Sequence, residues 1–175
     1  MTSKEFINNI SGSKIDIIQL LLYKLSELKL DYCVIGGLAV NAYAEPVASL
    51  DLDLIFTIDD LEKFLDHIKG IFKVAKFPHS INLQHHDSNL RIQIQTDLGY
   101  QPFISNASYK QVFGYNMKVA SIEDVLKGKV WAYSDKERRK SKRQKDLADI
   151  MRLVENHPHL FNLLPEKIQK VIEHE

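Results

Sequence analysis

Apolar residues recur at helical spacing at Ile15, Ile18, Leu22, Leu25 and Leu28, with Lys24 and Glu27 facing away, which predicts an amphipathic helix near the N-terminus. Ser11-Gly12-Ser13 separates it from a short leading turn of helix. Asp31 to Ile35 reads as a short apolar strand ended by Gly36-Gly37, and Leu38 to Tyr43 as a short helix stopped at Glu45-Pro46. From Ser49 to Phe56 the period changes to two. Leu50, Leu52, Leu54 and Phe56 take one face of a strand, and Asp51 and Asp53 take the other. Asp59-Asp60 suits a helix start, and Leu61, Phe64, Leu65 and Ile68 form the stripe of a helix ending at Gly70.

Ile71 to Phe77 and Ile81 to His85 read as strands, and Leu90 to Thr96 as the returning strand of a hairpin after the turn Asp87-Ser88-Asn89. On that last strand Leu90, Ile92 and Ile94 oppose Arg91, Gln93 and Gln95. Met117 to Ala120 is a last short strand. Ser121-Ile122-Glu123-Asp124 resembles a capping box and opens a helix to about Tyr133. A further helix carries Leu147, Ile150, Met151 and Val154 on one side, and Pro158 and Pro165 bracket a break before a terminal helix. The pattern predicts the α+β class: a small mixed sheet with helices packed on one side and a helical C-terminal third. One domain is expected over residues 1–175, with a core at about 15–120 and a helical part at about 121–175.

The composition, 45% hydrophobic and 26% charged, suits a globular protein with a real core. Net charge is zero, so any nucleic-acid binding must come from a local patch. The single cysteine, Cys33, lies in an apolar run and reads as core, which excludes an internal disulfide. Lys4, Glu5, Lys14 and Asp16 interrupt the N-terminal region, so neither a signal peptide nor a membrane span is expected, and the cytoplasm is the expected compartment.

The candidate chemistry centres on Asp51 and Asp53. Two positions apart on a strand, their Cα atoms lie roughly 6–7 Å apart on one face. Two carboxylates ~6 Å apart repel by about 3 kcal/mol at an effective dielectric near 20. A divalent cation removes that repulsion, since hard cations take carboxylate oxygens. The plain alternative is the solvated outer face of an edge strand. Gly36-Gly37, at a strand end opening a helix, offers unobstructed backbone N–H groups suited to a phosphate.

The order Tyr32-Cys33-Val34-Ile35-Gly36-Gly37-Leu38-Ala39-Val40-Asn41-Ala42-Tyr43, then Ser49-Leu50-Asp51-Leu52-Asp53-Leu54, resembles the signature of the polymerase-beta-like nucleotidyltransferase superfamily. It is most similar to the minimal nucleotidyltransferases and abortive-infection-type toxins. Those commonly carry an Arg and a Thr before the acidic strand, where Val47 and Ser49 stand here. Ser121 to Leu126, Lys129 and Lys145-Asp146-Leu147-Ala148-Asp149-Ile150 resemble the family's C-terminal helices, so the resemblance spans roughly residues 15–155.

This resemblance implies transfer of a nucleoside monophosphate from a nucleoside triphosphate to an acceptor, with release of pyrophosphate. Gly36, Gly37, Ser49 and Lys129 would bind the nucleotide, and Asp51 and Asp53 would hold Mg²⁺, for which Mn²⁺ can substitute. The expected acceptor is RNA, a protein or a small-molecule hydroxyl, and an antitoxin-like partner is compatible with the toxin flavour. Family enzymes add a third carboxylate on a neighbouring strand. Here Gln93 stands nearest that place, and Asp97 can serve only with a bulge or a shifted register; otherwise it is a strand-end turn residue. Three readings therefore stand: an active Mg²⁺-dependent enzyme with Asp51, Asp53 and Asp97 as catalytic residues, a catalytically impaired module that binds nucleotide or a partner, and an unrelated α+β interaction domain.

Lys129 falls inside the apolar stripe of its helix and needs an anion, either Asp146 or Asp149 or the triphosphate. The basic run Lys136 to Lys145 reads as a solvated helix-hairpin tip or as an attractor of a polyanionic acceptor. His79, His85 and His86 read as surface residues, with His85 and His86 on opposite faces of a strand.

Overall fold

The computed structural model describes residues 1–174. Helices α1 (Ser3–Ile10) and α2 (Ile17–Glu27) lead into strand β1 (Tyr32–Ile35), the short helix α3 (Gly36–Val40) and strand β2 (Asp51–Phe56). Helix α4 (Ile58–His67) precedes strands β3 (Lys73–Phe77), β4 (Ser80–Gln84) and β5 (Arg91–Gln95). After a 3-10 turn at Leu98–Phe103 come β6 (Ser108–Val112), β7 (Tyr115–Val119), α5 (Ile122–Ser134) and α6 (Lys140–Asn156). A second 3-10 turn at Pro158–Leu163 leads to α7 (Glu166–Glu173).

The seven strands form one mixed sheet in the order β3-β4-β5-β2-β1-β7-β6. The acidic strand β2 is central, not an edge, antiparallel to β1 and parallel to β5. That position excludes the plain reading of an edge strand. Register pairs Tyr32 with Phe56 and Ile35 with Asp53, so the two faces of β2 meet different neighbours. On the apolar face Phe56 stacks on Phe64 of α4, with ring centroids 4.7 Å apart. Lys63 of α4 donates to the carbonyl of Leu28, which ties this helix to the end of α2. On the acidic face the C-terminal helices α5 and α6 close over the sheet and bring Lys129 and Asp146 beside Asp53. The α+β expectation, a mixed sheet with a helical C-terminal third, is met.

The sequence pattern anticipated β7 but not its partner β6. The two form a hairpin about Phe113-Gly114, where φ is +49° and +81°. Positive φ at both central residues matches the twist of the strands and defines a type I′ turn. Helix α3 begins at the glycines themselves and ends at Val40, before the predicted Tyr43. Asn41 then closes the following loop: its amide exchanges hydrogen bonds with the N–H and carbonyl of Val47. No helix among the described residues is long and apolar enough to cross a membrane.

Candidate active site

Asp51 and Asp53 open into a cleft of about 230 Å³ between the sheet and α5–α6. The cleft is walled by Gly36, Gln93, Lys129, Arg138 and Lys142, among others. Gly36 has φ +71°, a conformation that suits glycine, and a Cβ there would overlap Asp53 Oδ2 and stand 3.0 Å from its Cγ. The glycine turn and the acidic strand are thus in direct contact. Gly36→Ala is expected to cost roughly 1–3 kcal/mol of stability and to displace Asp53, weakening Mn²⁺ binding. Thermal melts and calorimetric Mn²⁺ titration check both.

The two carboxylates sit in different surroundings. Asp51 Oδ1 lies 2.6 Å from Arg91 Nε and Oδ2 lies 3.5 Å from Lys142 Nζ. Asp53 has neither a hydrogen bond nor an ion pair among the described residues. Burial pushes its carboxyl up to about 6, with Asp51 adding to the rise and Lys129, Arg138 and Lys142 opposing it. A half-buried, unpartnered carboxylate of this kind, beside a second carboxylate and a turn without a side chain, fits a hard divalent cation.

Lys129 of α5 and Arg138 of the bend before α6 line the cleft with Lys142, and Arg152 of α6 lies outside its lining. Lys129 is buried and donates to Asp146 Oδ1 at 3.1 Å, and it lies 2.7 Å from Asp149 Oδ2. Burial alone would lower its pKa, but Asp149 and Asp146 outweigh that and hold it above the ordinary value. Arg138 donates from Nε to Asp146 Oδ2 at 2.6 Å. Arg152 donates to Asp149 Oδ1 at 2.8 Å, to Asn41 Oδ1 at 3.0 Å and to the carbonyl of Glu45. Through Arg152 the helix α6 is fastened to the loop that leaves the glycine turn.

Of the residues singled out from sequence, Gly36, Asp51, Asp53 and Lys129 meet in the cleft. A Cβ on Gly37 would stand 3.9 Å from Ser49 Oγ, and Ser49 is buried with its hydroxyl accepting from the N–H of Asp51 at 3.2 Å. Asp97 is not brought to the pair. Strands β2 and β5 pair without a bulge from Asp51–Arg91 through Ile55–Gln95, and this register sets Gln93 beside Asp53. Asp97 lies beyond the strand, where its Oδ1 accepts from the N–H of Gly99 at 2.8 Å, and it is outside the cleft lining.

Lys129 engages both anions weighed for it, Asp146 and Asp149. Arg91, Arg138 and Lys142 were not singled out by sequence; only the register of β5 and the bend between α5 and α6 reveal them. The surface expectation holds for His79 and His86, which are exposed, and is corrected for His85. His85 is buried with Ile81 and Leu83, and its ring stacks on that of His86 at 4.4 Å just past the end of strand β4. With Asp87 these two form the one group of metal-ligand spacing found among the described residues. The Nδ1 of His85 already accepts from the N–H of Asp87 at 3.1 Å.

A paired-aspartate strand set against a glycine turn, on a mixed sheet with C-terminal helices over it, is the architecture of nucleotidyltransferases. The chain belongs to the nucleotidyl transferase AbiEii toxin family of type IV toxin–antitoxin systems, whose sequence model matches residues 20–175. Among solved structures it is similar to ANT(2″)-Ia in complex with adenylyl-2″-tobramycin (TM-score 0.59, 14% identity, covering 90% of this chain and 94% of that one). It is also similar to the lincosamide antibiotic adenylyltransferase LnuA with lincomycin bound (TM-score 0.57, 14% identity, 81% and 99%). A third is an antigenic nucleotidyltransferase-like protein from Paracoccidioides brasiliensis (TM-score 0.56, 18% identity, 99% and 88%). At these identities the likeness establishes the fold. No curated protein matches the chain by sequence.

Proposed function

We propose that this chain transfers a nucleoside monophosphate from a nucleoside triphosphate to a hydroxyl acceptor, with Mg²⁺, or Mn²⁺ in its place, held by Asp51 and Asp53. The contact between Gly36 and the unpartnered carboxylate of Asp53 carries this reading, because it sets a phosphate-binding turn against a cation site. In the transfer the acceptor oxygen attacks the α-phosphorus, the bond from that phosphorus to the bridging oxygen of the β-phosphate breaks, and pyrophosphate leaves. The acceptor proton passes to solvent. A cation held by Asp51 and Asp53 would neutralise phosphate charge and orient the attacking oxygen.

The other groups follow from their positions. Backbone N–H groups of the Gly36-Gly37 turn face the triphosphate, and Arg138 and Lys142 neutralise its negative oxygens from the opposite wall. The Lys129 ammonium has three donors. Asp146 accepts from one of them, Asp149 Oδ2 lies 2.7 Å away without a hydrogen bond, and a donor remains for a phosphate. No covalent intermediate is required, since positioning and charge neutralisation supply the catalysis.

A second reading, a nucleotide-binding module without transfer, is favoured by one observation: the neutral Gln93 stands beside Asp53 where family enzymes place a third carboxylate. One experiment separates the two. The chain is incubated with each α-labelled nucleoside triphosphate, Mg²⁺ and cell extract, and label is then counted in RNA and in protein. Incorporation that Asp51→Asn with Asp53→Asn abolishes supports transfer, and the labelled fraction identifies the acceptor class. Retained nucleotide binding with no label in either fraction establishes the binding module instead.

The raised Asp53 pKa sets how the cation acts on stability. A cation must displace the proton below about pH 6 and meets a free carboxylate above it. The rise in melting temperature on adding Mg²⁺ is therefore expected to be small at pH 5 and to grow to a plateau above pH 7. A shift independent of pH over that range would remove Asp53 from the cation site.

A further inference from the structure

We infer that the cleft takes one divalent cation, not two, and that Arg91 supplies the fixed positive charge a second cation would bring. This rests on the proposed transfer reading. In a two-cation site the ions sit about 3.5–4 Å apart, each with carboxylate ligands to hold it. Of the other carboxylates lining the cleft, Asp146 is held by Lys129 and Arg138 and Asp124 accepts from Asn106, so the strand beside the pair, β5, would have to supply the extra one; there Arg91 pairs with Asp51 and Gln93 with Asp53. Both β5 side chains therefore leave the sheet on the acidic face.

Gln93 is neutral and adds no attraction for a second ion. Arg91 goes further, with Nε 2.6 Å from Asp51 Oδ1. Lys142 Nζ approaches the other oxygen of Asp51 at 3.5 Å. Asp51 can therefore lend an oxygen to the ion on Asp53 only by loosening one of these pairs, and it has none left for a second ion. Asp53 has no such partner among the described residues and is left as the principal ligand of a single ion.

The charges balance. A carboxylate and a divalent cation contribute −1 and +2, for a sum of +1. Glutamine and arginine contribute 0 and +1, the same sum. The substitution keeps the electrostatic stabilisation of a triphosphate while removing one exchangeable ion. A guanidinium also presents several N–H donors in a fixed plane, so Arg91 can hold Asp51 through Nε and still offer N–H groups to phosphate oxygens.

The test counts ions directly. Mn²⁺ bound per chain is counted by native mass spectrometry of the complex with a non-hydrolysable α,β-methylene nucleoside triphosphate. One Mn²⁺ per chain is expected for the native protein. Arg91→Ala combined with Gln93→Glu is expected to bind two. Arg91→Ala alone is expected to weaken analogue binding by roughly tenfold, the worth of a lost charge-assisted hydrogen bond, with Arg91→Lys recovering part. Two ions on the native chain would overturn the inference and leave the transfer reading standing. Binding of neither ion nor analogue would overturn both. Unchanged analogue affinity in Arg91→Ala would remove arginine from the role assigned to it.

Discussion

Asp53→Asn is expected to lower nucleotidyl transfer by about three orders of magnitude and, above pH 6, to make the cation-free protein more stable than the native one. The loss of activity follows from losing the member of the Asp51–Asp53 pair that no cation is paired with. The gain in stability follows from its titration. Burial raises the Asp53 carboxyl from an ordinary 3.8 to about 6. Below pH 3.8 it is protonated in folded and unfolded chains alike and carries no penalty. Between 3.8 and 6 the unfolded chain releases the proton first, so stability falls as pH rises. Above 6 the full cost applies, at most roughly 3 kcal/mol.

Asparagine does not titrate, so the gap between variant and native protein should open between pH 4 and 6 and stay constant above. For a chain of this size that amounts to about 5 °C or more in melting temperature. Melts in chelator across pH 4–8 read it. A variant less stable than the native chain at pH 7 would show that Asp53 is not a strained buried charge. Such an exchange of stability for function is common at active sites.

Lys129→Met should be the most damaging single change to folding. The lysine is buried between Asp146 and Asp149, both themselves buried. Its removal strands two carboxylates in the interior, and breaking a buried pair costs about 3–5 kcal/mol. Arg138 still faces Asp146 and Arg152 still faces Asp149, which holds the expected loss to the lower end of that range. Because the folded lysine titrates above its ordinary 10.5, this stabilisation is fully present at neutral pH and fades only in strong alkali. Urea unfolding at pH 7 gives the loss. Asp149→Asn added to Lys129→Met should recover part of it, since one stranded charge disappears. If the double variant were no more stable than the single, the lysine would be acting through packing, not charge.

Much of the cleft was legible in the chain because its elements carry periodic signals. Asp51 and Asp53 interrupt a period-two apolar strand, and Lys129 interrupts the apolar stripe of a helix. Each stands out against a regular background. Arg138 and Lys142 do not, because they lie in a run where nearly every residue from Lys136 to Lys145 is charged. Which two turn inward is decided by the bend at residues 135–139, where Asp135 accepts from the N–H groups of Glu137 and Arg138. Arg91 alternates with apolar residues as any half-exposed strand residue does, and its meaning appears only when register sets it beside Asp51. Strand β6 was missed because its residues are mostly exposed and its turn places Phe113, an unusual residue for positive φ, before glycine. His85 shares the parity of Ile81 and Leu83, so alternation itself turns it inward, and the surface reading follows residue type instead.

The fastening of α6 to the loop beyond the glycine turn, through Arg152, Asn41 and Glu45, spans more than a hundred positions of the chain. During synthesis the aspartate strand is complete long before the wall that faces it has left the ribosome. A growing polypeptide therefore has no finished cleft until its last third emerges. A ribosome that stalls or terminates before that point releases a product with half of a site.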